Sequence, residues 1–248
     1  METLSSLKNS RVMAWRSLKD RKGRLETGSF LVEGIKMVQE ALASDYPVET
    51  LLLQEGFTPA APLPEHIPAF LLPPHVFSAV CDTKTPQGIA AVVRLQPRPA
   101  AGPRLIALDQ VQDPGNVGTI LRTADAAGFD GALLAPGCAD VFSPRVLRAT
   151  MGSVFHLGLS FPAELPGALK DLRSRGYAVL SSQLDGEPFF ERPPIPAPFV
   201  LILGNEGNGV SPAVQATATH RFRLPMPGRA ESLNVGVAAG IMMYDLIR

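Results

Sequence analysis

The sequence has little of what marks a metalloprotein, a secreted protein or a membrane protein. Its only two cysteines, Cys81 and Cys138, have no C-x-x-C spacing and no histidine at ligand spacing, which argues against a zinc site or a redox pair. The N-terminus has no apolar signal-peptide core, and no run of about eighteen apolar residues occurs. We therefore expect a cytoplasmic protein with reduced thiols, no metal and no membrane span.

An overall charge is also missing, because 23 Lys and Arg residues balance 23 Asp and Glu residues. No global field therefore attracts nucleic acid. The charge is unevenly distributed, however, since residues 1–24 carry seven basic and two acidic side chains. This basic end is either a solvated helix face or a surface that contacts anions.

A proline-rich stretch at 96–103 has few large apolar residues, which is typical of a linker between folded units. We predict a small α/β domain at 1–95 and a second domain at 104–248. Hydrophobic periodicity predicts the elements of the first domain. They are helices at 5–24 and 37–43 and strands at 28–33, 48–53 and 89–95, with a proline-rich surface loop at 58–74.

The second domain has a regular alternation of short apolar runs and helical segments. The predicted strands are 104–108, 131–134, 156–159, 177–181 and 199–203. This alternation predicts a mostly parallel sheet with helices on both faces. Ligands of such sheets lie beyond the carboxyl ends of the strands, which is where Asp109 and Gly204 follow directly.

The first of three loop-to-helix junctions follows Asp109. Asp113-Pro-Gly predicts a turn, and Asn116 is a good candidate for the helix N-cap. At about 100° per residue the following helix has an apolar face and a polar face. The apolar face holds Val117, Ile120, Leu121 and Ala124, and the polar face holds Asn116, Thr119, Arg122 and Thr123.

The second junction, residues 204–209, is rich in glycine but lacks the G-x-G-x-x-G and P-loop patterns. Because Glu206 would repel phosphate, this loop suits a neutral or cationic ligand, or Glu206 orients other side chains. In the third junction Ser232 is predicted to cap the final helix, with Asn234 in its first turn. The predicted buried stripe of that helix is Leu233, Val237, Ile241 and Tyr244, and small residues at 236 and 238–240 leave room for close packing.

Together the segments 113–124, 203–210 and 224–235 resemble, in order and spacing, the three motifs of the SpoU (TrmH) family of RNA 2′-O-ribose methyltransferases, in the SPOUT class. The resemblance covers 104–248. Residues 30–34 and 85–92 resemble, less strongly, the RNA-binding substrate domain that precedes the methyltransferase domain in many members.

This resemblance implies a SPOUT-type fold with a C-terminal trefoil knot, a homodimer, and S-adenosylmethionine as the methyl donor. It places the cofactor against Gly204, Leu224 and Leu233. It also places Arg122 at the ribose hydroxyl, as a base or as an electrostatic group. The residues that would hold this arrangement are Asn116, Glu206, Ser232 and Asn234.

Ribosomal RNA is the expected substrate, because members with the additional domain often modify it, and tRNA is the alternative. We expect phosphate contacts from the basic end, through Arg16, Arg21, Lys22 and Arg24. A catalytically silent RNA-binding module of the same fold is a competing hypothesis. A nucleotide-binding oxidoreductase is disfavoured by the missing glycine fingerprint.

Overall fold

The computed structural model describes residues 1–248. The elements of the N-terminal part are β1 (Glu2–Thr3), α1 (Ser10–Ser17), α2 (Arg21–Thr27), β2 (Ser29–Glu33), α3 (Ile35–Ala43), β3 (Val48–Gln54), β4 (Ala69–Leu72), α4 (Pro74–Val80) and β5 (Ile89–Arg94). They are followed by β6 (Arg104–Asp109), α5 (Pro114–Ala126), β7 (Gly131–Leu134), α6 (Pro144–Thr150), β8 (Gly158–Ser160), α7 (Leu165–Ser174), β9 (Ala178–Pro188), β10 (Phe199–Gly204), α8 (Pro212–Gln215), β11 (His220–Arg223) and α9 (Val235–Leu246). None of the helices is long and apolar enough to cross a membrane.

The chain forms two units: 1–96 together with 142–155, and 97–141 together with 156–248. This division differs from the predicted one because 142–155 joins the first unit. Aromatic packing explains the difference. The Phe30 ring lies 4.9 Å from the ring of Phe142, and the Tyr46 ring lies 5.3 Å from that of Phe155. Burying these rings within the first unit stabilises the position of a segment that the sequence places far from it.

The first unit is built on a five-stranded mixed sheet in the order β1-β4-β3-β5-β2. The short strand β1 was not predicted, and neither were β4 and α4, because the prolines around these two suggested only loop. The predicted helix at 5–24 is instead two helices. Gly23 allows α2 to pack closely on the end of α1, since a Cβ there would lie 2.1 Å from the Ser17 carbonyl oxygen.

The second unit contains a six-stranded sheet, all parallel, in the order β11-β9-β10-β6-β7-β8. This arrangement confirms the predicted α/β fold with a mostly parallel sheet. The predicted apolar face of α5 is fully buried, and the side chains of Val117, Ile120 and Leu121 each contribute about 1.5–3 kcal/mol. In the centre, β6 and β10 pair in register so that Gly204 lies opposite Asp109. The loops after these strands therefore leave the sheet side by side.

Candidate active site

The first junction starts with a cap different from the predicted one. The N-cap of α5 is Asp113, whose Oδ1 accepts a hydrogen bond from the Asn116 backbone N–H at 2.9 Å. Asn116 was predicted to be the cap and is instead inside the first turn. Aspartate with a following proline is a strong helix start, because proline lacks the N–H that would need a partner. The side chain of Asn116 is consequently available for other contacts.

Asn116 uses both ends of its side chain to connect the three junctions. Its Nδ2 donates to Oε1 of Glu206 at 3.0 Å, and its Oδ1 accepts from Nδ2 of Asn234 at 2.9 Å. We call this hydrogen-bonded series Glu206–Asn116–Asn234 the polar chain. Residues that are 90 and 118 positions apart are thereby held together. Three of the five predicted catalytic residues are in direct contact.

Glu206 is the anionic end of the polar chain. Its carboxylate also accepts hydrogen bonds from the backbone N–H groups of Asp113 at 3.1 Å and Gln112 at 3.2 Å. Partial burial alone would raise the pKa of Glu206, but the hydrogen bonds from Asn116 and from backbone N–H groups outweigh it and lower the pKa below its usual range. Glu206 therefore stays ionised and orients other groups, which was one of the two predicted roles.

The third junction also has a different cap. Asn234 is the N-cap of α9, and its Oδ1 accepts from the N–H groups of Gly236 at 2.9 Å and Val237 at 3.3 Å. Ser232, predicted to cap this helix, lies two residues earlier, exposed and without a side-chain hydrogen bond. Because the Asn234 oxygen is committed to the helix, its amide nitrogen points to Asn116. One residue thus both starts the helix and extends the polar chain.

A cavity of about 420 Å³ lies at the carboxyl ends of the strands, between the second and third junctions. Its walls include the three predicted cofactor residues, Gly204, Leu224 and Leu233, and also Ser232. Glycine is required at 204, since a Cβ there would come within 2.2 Å of the Gly209 and Val210 backbone. Glu206 and Asn234 form part of the same wall, so the polar chain borders the cavity.

Arg122 is not among the residues that line this cavity. Its side chain is exposed on α5 and makes no hydrogen bond or ion pair. It lies six residues beyond Asn116, about 9 Å further along the helix. The structure therefore brings Asn116, Glu206, Ser232 and Asn234 to one place and leaves Arg122 on the adjacent surface.

The predicted buried stripe of α9 is wrong. Leu233, Val237, Ile241 and Tyr244 are all exposed, and the buried residues are Gly236, Ala239, Met242 and Met243. The reason is that α9 turns its small residues toward α5. A Cβ on Gly236 would lie 3.3 Å from Cγ2 of Thr119, and one on Gly240 would lie 3.6 Å from Cγ2 of Thr123. The larger apolar side chains are left facing outward.

Only some of the basic side chains at the N-terminal end of the protein are exposed to solvent. Arg16, Arg21 and Lys22 are exposed, and Lys22 makes only a long i,i+4 ion pair of 3.7 Å with Glu26. Arg24 is 4% exposed and donates to the carbonyl oxygens of Leu18 and Lys19 at 2.7 and 2.8 Å. It satisfies carbonyls after the end of α1, so the prediction that Arg24 contacts phosphate is not supported.

The cavity wall also includes residues that sequence reasoning missed. Ser182, Gln183, Leu184 and Asp185, all in β9, line it. The available signal was their position just after the apolar run that ends at Leu180, at the same sheet edge as the other junctions. No group of three or more His, Cys, Asp or Glu side chains could hold a metal ion.

A parallel α/β sheet with a polar chain and a small-molecule cavity at its carboxyl edge is typical of a ligand-binding domain. Comparison with known proteins identifies its family. Residues 103–244 match the model of the SpoU rRNA Methylase family, and residues 9–91 match the MRM3-like substrate binding domain. The chain belongs to the SpoU family, and the predicted class, an RNA 2′-O-methyltransferase that uses S-adenosylmethionine, is confirmed.

Similar proteins match the chain over its whole length. It is 40% identical to the 23S rRNA (guanosine(2553)-2′-O)-methyltransferase RlmP of Bacillus subtilis, over 99% of both chains. A structure assigned to the TrmH family of RNA methyltransferases, from Porphyromonas gingivalis, has a TM-score of 0.89 at 38% identity, covering 97% of this chain and 98% of that one. The AdoMet-bound rRNA methyltransferase from Sinorhizobium meliloti has a TM-score of 0.87 at 32% identity, covering 99% and 97%.

The cavity fits S-adenosylmethionine. Its volume of about 420 Å³ is in the usual range for small-molecule sites, roughly 300–1,000 Å³. The Glu206 carboxylate suits the cationic sulfonium, and Leu224 and Leu233 suit the apolar surface of the nucleoside. The glycines at 204, 207 and 209 leave the backbone open to close approach by the ligand.

Proposed function

We propose that the protein methylates a ribose 2′-hydroxyl in 23S ribosomal RNA. The whole-length similarity to RlmP supports this substrate, because both domains of the chain contribute to it. The match of residues 9–91 to a substrate-binding domain supports it further. The exposed basic side chains of Arg16, Arg21 and Lys22 lie in this region and can contact phosphates. The observation that most directly supports a catalytic role for this protein is the polar chain beside the cavity.

S-adenosylmethionine supplies an electrophilic methyl group, and the protein must bring the ribose oxygen in line with it. The polar chain fixes the first junction against the two junctions that border the cavity, so their geometry is set before RNA arrives. Arg122 acts at the ribose hydroxyl through charge-assisted hydrogen bonds from its guanidinium N–H groups, which stabilise the developing alkoxide or an adjoining phosphate. We favour this electrostatic role over a role as base, because a guanidinium stays protonated in proteins.

The test is methyl transfer from labelled S-adenosylmethionine to deproteinised 23S rRNA, 16S rRNA and tRNA in separate reactions, followed by mapping of 2′-O-methyl sites. We expect label in 23S rRNA, and the first position to examine is the guanosine that corresponds to 2553. Label in tRNA alone would support the tRNA alternative. No label in any RNA would support the silent binding module.

Arg122→Lys separates the proposed role from simple binding. It keeps the positive charge but loses the fork of five N–H donors, so we expect at least about tenfold slower transfer, consistent with the loss of one charge-assisted hydrogen bond. Cofactor affinity should not change, because Arg122 does not line the cavity. Arg173→Lys is the matched control, since Arg173 is also exposed but lies on α7. An Arg122→Lys enzyme with full activity would contradict the role of Arg122.

We further propose that the protein is a homodimer that pairs through α9. Val237, Ile241 and Tyr244 recur at helical spacing and form one exposed apolar face of α9, which we call the α9 face. Exposed apolar patches of this kind mark interaction sites, and cyclic dimers are the commonest assembly. Arg122 is exposed on α5, the helix against which α9 packs.

We also propose that the C-terminal part of the chain forms a trefoil knot. The return of the C-terminal segment to the first two junctions supports this proposal.

A further inference from the structure

The C-terminal end of α9 is held by an arginine from the loop between β9 and β10. Arg192 donates from Nη1 to Oδ2 of Asp245 at 2.6 Å and from Nη2 to the backbone carbonyl oxygen of Asp245 at 3.2 Å. Nη1 also donates to the carbonyl oxygen of Phe189 at 2.7 Å, and the guanidinium carbon lies 3.8 Å from the centre of the Phe189 ring. We call the contact of Arg192 with Asp245 the α9 clamp.

The α9 clamp contributes a defined geometry more than it contributes net stability. The side chain of Arg192 is 9% exposed and that of Asp245 is 21% exposed. Removing both charges from water costs free energy, and Nε of Arg192 is buried without a hydrogen-bond partner. An apolar pair of similar volume is often at least as stabilising as such an ion pair. The planar guanidinium, however, holds a side-chain oxygen and a main-chain oxygen of the same residue, which fixes the end of the helix.

The packing of α9 does little to fix its position along its own axis. The buried residues of the helix are Gly236, Ala239, Met242 and Met243. Glycine and alanine have no large side chain that could lock into a groove of α5, and methionine adapts its shape readily. Because this face is smooth, contacts at the two ends of α9 must set the axial position of the helix.

The other end of α9 carries one member of the polar chain. Asn234, the N-cap, donates to Oδ1 of Asn116 at 2.9 Å. It lies about 16 Å along the helix axis from Asp245. A rigid helix that slides along its axis moves both of its ends by the same amount. A displacement of about 0.5 Å would stretch the hydrogen bond to Asn116 beyond the usual range of about 2.7–3.2 Å.

We infer that Arg192 is a positioning residue for methyl transfer, because through Asp245 it sets the axial position of α9 and thereby the contact of Asn234 with Asn116. This inference rests on the proposed function and deepens it. Arg192 is not among the residues that line the cavity, and its hydrogen bonds go to Phe189 and Asp245. Its effect on the reaction therefore passes through α9.

A double-mutant cycle tests this connection. The rate constant kcat is measured for the wild type, Arg192→Lys, Asn116→Ala and the double variant, on the RNA that the wild type methylates. Lysine keeps the charge but loses the fork that holds both oxygens of Asp245, so we expect kcat to fall about fivefold to tenfold. In the Asn116→Ala background the same change should cost less than about twofold, because the contact that it misaligns is already absent.

Equal losses in the two backgrounds would overturn the inference, since a partly unfolded enzyme loses activity by the same factor in each. An Arg192→Lys enzyme with full activity would overturn it as well. Arg248→Lys is the matched control, because Arg248 pairs with the other carboxylate oxygen of Asp245 at 3.5 Å but has an 83% exposed side chain. It should leave kcat unchanged.

Conservative replacement of the partner provides a second test. Asp245→Asn keeps a side-chain acceptor and the main-chain carbonyl, so it should retain kcat to within about threefold. Asp245→Ala removes the side-chain acceptor and should lose about as much as Arg192→Lys. A loss in Asp245→Asn as large as that in Asp245→Ala would contradict a role set by geometry and would overturn the inference.

A measurement without turnover separates this inference from the proposed function. In ¹⁵N–¹H spectra of the full chain labelled at asparagine, the side-chain amide signals of Asn116 and Asn234 are assigned from their loss in the alanine variants. We expect Arg192→Lys to shift both signals and Arg248→Lys to shift neither. Unshifted signals in Arg192→Lys would overturn the inference, whatever the activity. If the signals shift but the wild type labels no RNA, the proposed function fails while the link between the α9 clamp and the polar chain stands.

Discussion

Asn116→Asp is the most informative single change, because it alters one atom type at the centre of the polar chain. The donor Nδ2, which lies 3.0 Å from Oε1 of Glu206, becomes a carboxylate oxygen. Two unit charges at that distance repel by about 1.4 kcal/mol at the dielectric constant of water and by about 5.5 kcal/mol at an effective value of 20. Because the pair is largely exposed, we expect the low end, about 1–2 kcal/mol, together with the lost hydrogen bond.

The repulsion requires both carboxylates to be ionised, which makes the penalty dependent on pH. A repulsion of about 1–2 kcal/mol raises one of the two pKa values by about one unit, so the pair holds a proton at about pH 3–4 and loses it by about pH 6. Urea unfolding should therefore show a larger loss of unfolding free energy at pH 7 than at pH 4, by roughly 1 kcal/mol.

Asn9→Asp is the matched control. Asn9 caps α1 through its side-chain oxygen, and aspartate is an equally good cap, so this change should leave the unfolding free energy almost unaltered. A penalty in Asn116→Asp that is the same at pH 4 and pH 7, or no penalty at all, would refute the electrostatic coupling of position 116 and Glu206.

Three further predictions follow from other parts of the structure. Val237→Asp, which places a charge on the α9 face, should convert the proposed dimer to a monomer in analytical ultracentrifugation, and a wild type that is already monomeric would contradict the dimer. Burial raises the pKa of Cys138 to about 11, so its thiol should react with a disulfide reagent at pH 8 far more slowly in the native than in the urea-unfolded protein; equal rates would contradict its protonated state. Replacing Arg16, Arg21 and Lys22 by Gln should weaken RNA binding and reduce the slope of log affinity against log salt by about 2, whereas an unchanged slope would mean that these bases are merely solvated.

Sequence reasoning was strongest where one physical rule dominates. The apolar face of α5 was predicted correctly, because burial against a sheet imposes helical spacing. The strands β6, β7 and β10 were found from apolar runs for the same reason. The glycine-rich loop and the carboxyl ends of these strands then predicted a ligand site at the sheet edge where the cavity lies.

The incorrect predictions concern choices that residue type and spacing alone do not decide. The outward α9 face has the spacing of a core stripe, and only packing on α5 decides which side is buried. Arg24 has the sequence context of a surface residue, but its guanidinium donates to two backbone carbonyls that follow α1 and is buried there. The caps differed because Asn234 and Ser232 are both good cap residues, and only the structure decides which one the helix uses.

The most direct test of the account is a crystal structure of the protein with S-adenosylhomocysteine. We expect the ligand to occupy the cavity lined by Gly204, Leu224 and Leu233, with its sulfur next to the polar chain. A ligand bound elsewhere, or a polar chain in which Asn116 contacts neither Glu206 nor Asn234, would contradict it.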